Sequence, residues 1–72
     1  MDRLIKIKEY QDFALKLKNI RLEADFTQVE VAKKLKRSQS YISKSETGEQ
    51  RLDIVEIKKF ATLYKKEIKY FI

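Results

Sequence analysis

Apolar residues recur with a helical period along most of the chain. Phe13, Leu17, Ile20 and Ala24 share one face and predict a first helix ending near Ala24. Asp25 and Phe26 interrupt it. Thr27 and Glu30 then stand at capping-box spacing: the Thr27 hydroxyl can accept the Glu30 amide proton, and the Glu30 carboxylate can reach back to the Thr27 amide. Phe26 and Val31 flank that cap as a hydrophobic staple, so a short second helix is expected to run to about Leu35. Ser38 suits the cap of a third helix over Gln39 to about Glu46, with Ile42 facing inward and Gly48 able to end it in a left-handed conformation. Asp53 with Glu56, and Leu52 with Ile57, repeat the box and the staple. They start a fourth helix that keeps Ile57, Phe60, Ala61 and Tyr64 on one face. Ile68 and Phe71 fit a last helical turn.

The first ten residues are ambiguous. Apolar and charged side chains alternate from Leu4 to Lys8, which suits either a strand or an extension of the first helix. Residues 1–10 are therefore treated as a short N-terminal arm. Proline is absent and glycine occurs once, so the rest reads as helices joined by short turns: an all-α chain without repeats or linkers.

Length and composition narrow the function classes. With 72 residues the chain is expected to form one domain, 1–72, burying only about 60% of its unfolded surface. Pairing with a second copy would help it. Cysteine and histidine are both absent, which argues against disulfides, zinc sites and thiol or imidazole catalysis. No cofactor, metal, catalytic residue or small-molecule substrate is expected. No apolar run approaches the roughly 20 residues of a membrane span, and no secretory signal opens the chain, so a cytoplasmic location without membrane attachment is expected. Seventeen Lys and Arg against eleven Asp and Glu leave a net charge of +6, which attracts phosphate. The distribution says more than the sum. No acid lies between Glu30 and Glu46, whereas Lys33, Lys34, Lys36, Arg37 and Lys44 all do.

Two short capped helices, the turn Lys36-Arg37-Ser38 between them and a polar, basic second helix form a helix-turn-helix pattern over residues 27–46. A helix entering a major groove about 12 Å wide needs a slim, hydrogen-bonding outer face. Gln39, Ser40, Ser43 and Lys44 supply one: glutamine can pair with adenine, lysine can reach guanine acceptors, and serine can bond a base edge or a phosphate. Each residue alone fits ordinary surface polarity. Caps, staples, basic turn and polar helix occurring in order are harder to dismiss.

The runs Thr27-Gln28-Val29-Glu30-Val31-Ala32-Lys33-Lys34-Leu35, Ser38-Gln39-Ser40-Tyr41-Ile42-Ser43-Lys44 and Glu46-Thr47-Gly48-Glu49-Gln50-Arg51-Leu52-Asp53 resemble the phage Cro and lambda-type repressors and their Xre-like bacterial relatives. The resemblance covers roughly residues 13–71. It implies a compact five-helix domain that binds a two-fold-symmetric operator in double-stranded DNA, usually as a homodimer. It further implies that Gln39, Ser40 and Lys44, with Ser43, read bases. Gln28, Tyr41 and Arg51 would meet phosphate, as would Lys36, Arg37 and Ser38 of the turn, and Arg21 would pair with Glu46 as a structural tie. The sequence departs from the family pattern at Lys36 and Lys65, where glycine is common. A left-handed non-glycine residue costs about 1 kcal/mol, so these turns are expected to be strained or to differ in shape. Thr47 replaces the usual asparagine, and Ser45 replaces a larger apolar residue.

Leu63, Tyr64, Ile68, Tyr70, Phe71 and Ile72 are more apolar residues than a short last helix can bury. Tyr64, Ile68 and Phe71 suit the core, and Leu63, Tyr70 and Ile72 suit a dimer seam. The expected function is that of a transcriptional regulator, with repression the leading form. The alternatives are the antitoxin of a toxin–antitoxin pair, which would bind DNA and a toxin, and a protein-interaction module of the same fold.

Overall fold

The computed structural model describes residues 8–71. Among these there are four α-helices and one 3-10 turn: α1 (Lys8–Glu23), α2 (Gln28–Leu35), α3 (Gln39–Thr47), α4 (Ile54–Tyr64) and the turn Ile68–Tyr70. The start signals act as the side-chain chemistry requires. Thr27 Oγ1 accepts the Glu30 amide at 3.1 Å while Glu30 Oε1 accepts the Thr27 amide at 2.7 Å. Asp53 and Glu56 form the same reciprocal pair at 2.9 and 3.1 Å. Ser38 Oγ accepts the Tyr41 amide at 3.1 Å. Each of these bonds satisfies a backbone donor that a helix start leaves open.

The stops share one geometry. Asp25, Lys36, Gly48 and Lys65 each turn left-handed, at φ of 65°, 58°, 88° and 59°. After each, the next amide reaches back five residues: Phe26 to Arg21, Arg37 to Ala32, Glu49 to Lys44 and Lys66 to Ala61, all within 3.1 Å. This is the Schellman arrangement, which satisfies the last carbonyls of a helix. Lys36 and Lys65 therefore keep the turn shape for which glycine is better suited, at a cost of about 1 kcal/mol each.

The core is filled by Phe13, Leu17 and Ile20 of α1, Val31 and Ala32 of α2, Ile42 of α3, Phe60, Ala61 and Tyr64 of α4, and Phe71. Leu17, Val31, Ile42 and Phe60 are at most 1% exposed, and burial of such side chains is worth roughly 1.5–3 kcal/mol apiece. Helix α3 packs against α1 and α2, and α4 against α2 and the 3-10 turn. Ser45 is also buried, its hydroxyl donating to the Tyr41 carbonyl at 2.8 Å. The smaller residue thus lies in the core with its polar group satisfied.

Three expectations need correction. The fifth helix is only a three-residue 3-10 turn. Lys65 closes α4, Glu67 is extended, and one turn then suffices to drop Phe71 edge-on against Phe13, with ring centroids 6.2 Å apart. Residues 8–10 belong to α1 rather than to an arm. Tyr10 packs against the core and its hydroxyl donates to the Gln50 carbonyl at 2.6 Å, which anchors that first turn. The remainder of the expected arm, residues 1–7, lies outside the described residues, as does Ile72. Ala24 is exposed, because the helix ends at Glu23 and the chain turns away through Asp25.

Candidate nucleic-acid interface

Helix α3 is held from its far end. Arg21 of α1 makes a two-point contact with Glu46: Nε donates to Oε2 at 2.7 Å and Nη2 to Oε1 at 3.1 Å. The side chains are 10% and 2% exposed. Its third nitrogen, Nη1, donates to the Phe26 carbonyl at 2.9 Å, so one guanidinium ties α1, the α1–α2 turn and α3 together. Hydrogen bonding to Glu46 holds the Arg21 pKa above its ordinary value, against the desolvation that opposes it, so the guanidinium stays charged.

From Glu46 the polar chain continues outward. Gln28 Nε2 donates to Glu46 Oε1 at 3.2 Å, and Gln39 Nε2 donates to Gln28 Oε1 at 3.4 Å. Gln28 opens α2 and Gln39 opens α3. The result is a relay, Arg21–Glu46–Gln28–Gln39, that begins in the core and ends on an exposed side chain. It orients the Gln39 amide while its Oε1 keeps its acceptor capacity. Sequence spacing signals the Arg21–Glu46 pair only through the resemblance, and it gives no sign of the Gln28–Gln39 bond.

Of the expected base-reading residues, Gln39, Ser40 and Lys44 are exposed, and Ser43 is half-buried. Ser40, Ser43 and Lys44 follow at three- and four-residue steps, so they share a helix face.

The residues expected to meet phosphate divide into two groups. Lys36, Ser38 and Arg51 are exposed. Ser38 has spent an acceptor on the helix cap, and its hydroxyl proton can still be donated. Gln28, Arg37 and Tyr41 are engaged within the protein. Both ends of the Gln28 amide are bonded, as described. Arg37 Nη2 donates to Glu56 Oε2 at 3.2 Å, and its guanidinium carbon sits 4.7 Å from the centroid of the Tyr41 ring. That ring stacks on Phe60, 14° from parallel with centroids 6.5 Å apart. Burial first, then the nearby Glu56 carboxylate, push the Tyr41 hydroxyl up to about 12, so it stays protonated. Arg37 and Tyr41 thus fasten the turn to α4. Nothing in their sequence spacing announces Glu56 or Phe60 as partners.

Lys33, Lys34, Lys36, Arg37 and Lys44 are all exposed, so the acid-free stretch becomes surface charge on the helix pair. A helix-turn-helix family model matches residues 17–71, from the middle of α1 through the 3-10 turn. The chain belongs to the Cro/C1-type, Xre-like helix-turn-helix family. This family is one of DNA-binding transcription regulators. A comparison with curated proteins found no match. Among the described residues, no helix is long and apolar enough to cross a membrane, and no group of three His, Cys, Asp or Glu is placed to hold a metal.

Proposed function

We propose that this helix-turn-helix protein is a sequence-specific repressor that lays α3 in the major groove. Gln39, Ser40 and Lys44 read base edges there, with Ser43 at the margin. The observation that carries this reading is the relay ending on Gln39. An exposed glutamine costs side-chain entropy to hold, and a fixed amide pays off where two bonds to one adenine must form together. Lys36, Ser38 and Arg51 then anchor the backbone. Gln28, Arg37 and Tyr41 keep their internal partners and support the reading residues, with any phosphate contact secondary.

Two copies on two half-sites about 34 Å apart would raise affinity, as is usual for such domains. Of the expected seam, Tyr70 is exposed at 41% and flanked by Lys16 and Lys66, at 5.7 and 5.1 Å from its ring centroid. Leu63 is half-buried between α2 and α4. We therefore centre the seam on Tyr70.

The test is selection of duplexes from a random pool near physiological salt of about 150 mM. Enrichment of a two-fold-symmetric motif supports a dimeric repressor. Enrichment of one half-site supports a monomer. Recovery without any motif, with binding lost as salt rises, means phosphate attraction alone and defeats the proposal.

A further inference from the structure

On the surface between the last turn of α2 and the length of α4 lies an open groove of about 490 Å³. Leu35, Val55 and Leu63 give it an aliphatic floor, and Val55 is 56% exposed. Lysines form its rim: Lys34, Lys36, Lys58 and Lys59. The Lys34 ammonium is drawn aside to the Phe26 ring, 5.2 Å from its centroid, so Lys36, Lys58 and Lys59 supply the charge. No acidic residue lines the groove, and none of its residues belongs to α3. Lys36 alone is shared with the residues proposed above to meet DNA, so the floor and Lys58 and Lys59 lie apart from the Gln39 face. The family fold does not need these features, since a solvent-facing α4 could equally be polar and of mixed charge.

We propose that this groove docks an acidic segment of a partner protein, with a bulky apolar side chain seated on Leu35, Val55 and Leu63 and carboxylates meeting Lys36, Lys58 and Lys59. Two features select that occupant. An apolar floor rewards an apolar side chain, which a phosphate backbone lacks. An all-positive rim repels a second copy of itself across a two-fold axis, because such an interface sets each patch against its own likeness. The proposal does not rest on the DNA reading.

The experiment is selection from a displayed library of random peptides against the full chain, followed by titration of the synthesised winners into isotope-labelled protein. Winners are expected to carry Asp or Glu around a Leu, Ile, Phe or Trp, and to shift the resonances of Val55, Lys58, Lys59 and Leu63. Val55→Glu should weaken them about tenfold or more, as the loss of a central anchor does. Glu is favourable in the first turn of a helix, so thermal stability should be retained. Lys58→Glu with Lys59→Glu should reverse the preference toward basic peptides. Failure to enrich any peptide, winners without acids, or shifts confined to other surfaces each overturn the proposal. So do resonances of Val55, Lys58, Lys59 and Leu63 that respond instead to phosphatidylglycerol vesicles, to duplex DNA, or to rising concentration of the chain itself. Operator binding unchanged in Val55→Glu keeps the two readings separable.

Discussion

At its N-terminal end α3 shows Gln39 and Ser40 to solvent, held by a serine cap and one long amide bond. At its C-terminal end it buries Ser45 and Glu46, with a guanidinium clamped to the carboxylate. Gln39 and Glu46 are seven residues apart on one helix, yet the two ends bear different loads. The buried end fixes where the helix lies, and its polar groups are expensive to disturb because their partners would be stranded away from water. At the exposed end the Ser38 cap supports the helix start, and the side chains of Gln39 and Ser40 add little to stability. Those side chains are free to be chosen for what they touch. The reading surface proposed for α3 could therefore change without rebuilding the fold, provided that the clamp is kept.

The largest expected effect lies at the clamp. Glu46→Ala leaves Arg21 charged, nearly buried and without its carboxylate, so folding stability should fall by about 3–5 kcal/mol in urea denaturation. A loss below about 1 kcal/mol would erase the distinction between the two ends. Gln39→Ala should do the reverse. Its stability should stay within about 0.5 kcal/mol of the parent, as for surface changes generally. Its affinity for the selected operator should drop by about 1–3 kcal/mol and its base preference should blur. Unchanged DNA binding in that variant would remove Gln39 from the reading surface.

How much of this contrast is legible in the sequence follows from the range of each interaction. Thr27–Glu30, Asp53–Glu56, Ser38 and Gly48 signal helix ends through neighbours three or four residues apart, and the helices begin and end there. The exposed face of α3 is legible for the same reason, because helical period alone sorts outside from inside. Gln28 with Gln39, Arg37 with Glu56 and Tyr10 with Gln50 are 11, 19 and 40 residues apart, and no local rule joins them. The fifth helix that the resemblance implies is shortened to a single turn, whereas the last helical turn expected for Ile68 and Phe71 is present. Phe71 has to reach Phe13, and one 3-10 turn after Lys65 accomplishes that.

Tyr64, near the clamp, and Tyr41 offer an intermediate test. The Tyr64 hydroxyl is buried without a hydrogen-bond partner, and burial, then the Glu46 carboxylate, hold its pKa above the ordinary tyrosine range. Removing an unsatisfied buried group with little change of shape is neutral or favourable, so Tyr64→Phe should leave stability unchanged or raise it by up to about 1 kcal/mol. The same residues set the response to alkali. In the unfolded chain tyrosines lose their proton near pH 10, whereas Tyr41 keeps its proton to about 12 and Tyr64 is raised as well. Above pH 10 the folded form therefore holds protons that the unfolded chain gives up. Stability present below pH 10 should decline as pH rises through that window, and Tyr64→Phe should shallow the decline. With no histidine in the chain, melting temperature should be nearly flat between about pH 6 and 8.

The smallest effects come from the two turns that bracket α3. Both Lys36 and Gly48 sit in the left-handed region, one before the helix and one after it. A Cβ on Gly48 would meet Tyr10 and Ala14 no closer than 3.8 Å, which is ordinary contact. Gly48→Ala should therefore cost only the backbone term, about 1 kcal/mol, rather than a clash. Lys36→Gly relieves a similar term, but the freer unfolded chain returns about 0.4–1 kcal/mol of it. The net should be a few tenths of a kcal/mol, with little movement of the melting temperature. If Lys36 also meets a phosphate, that variant should bind every DNA sequence more weakly by the same factor and lose about one unit of salt slope. Stability nearly unchanged with uniformly weaker binding would mark lysine as retained for its charge at a position where glycine suits the backbone better. Stability raised by a full kcal/mol with DNA binding intact would mean that Lys36 serves neither the fold nor the ligand.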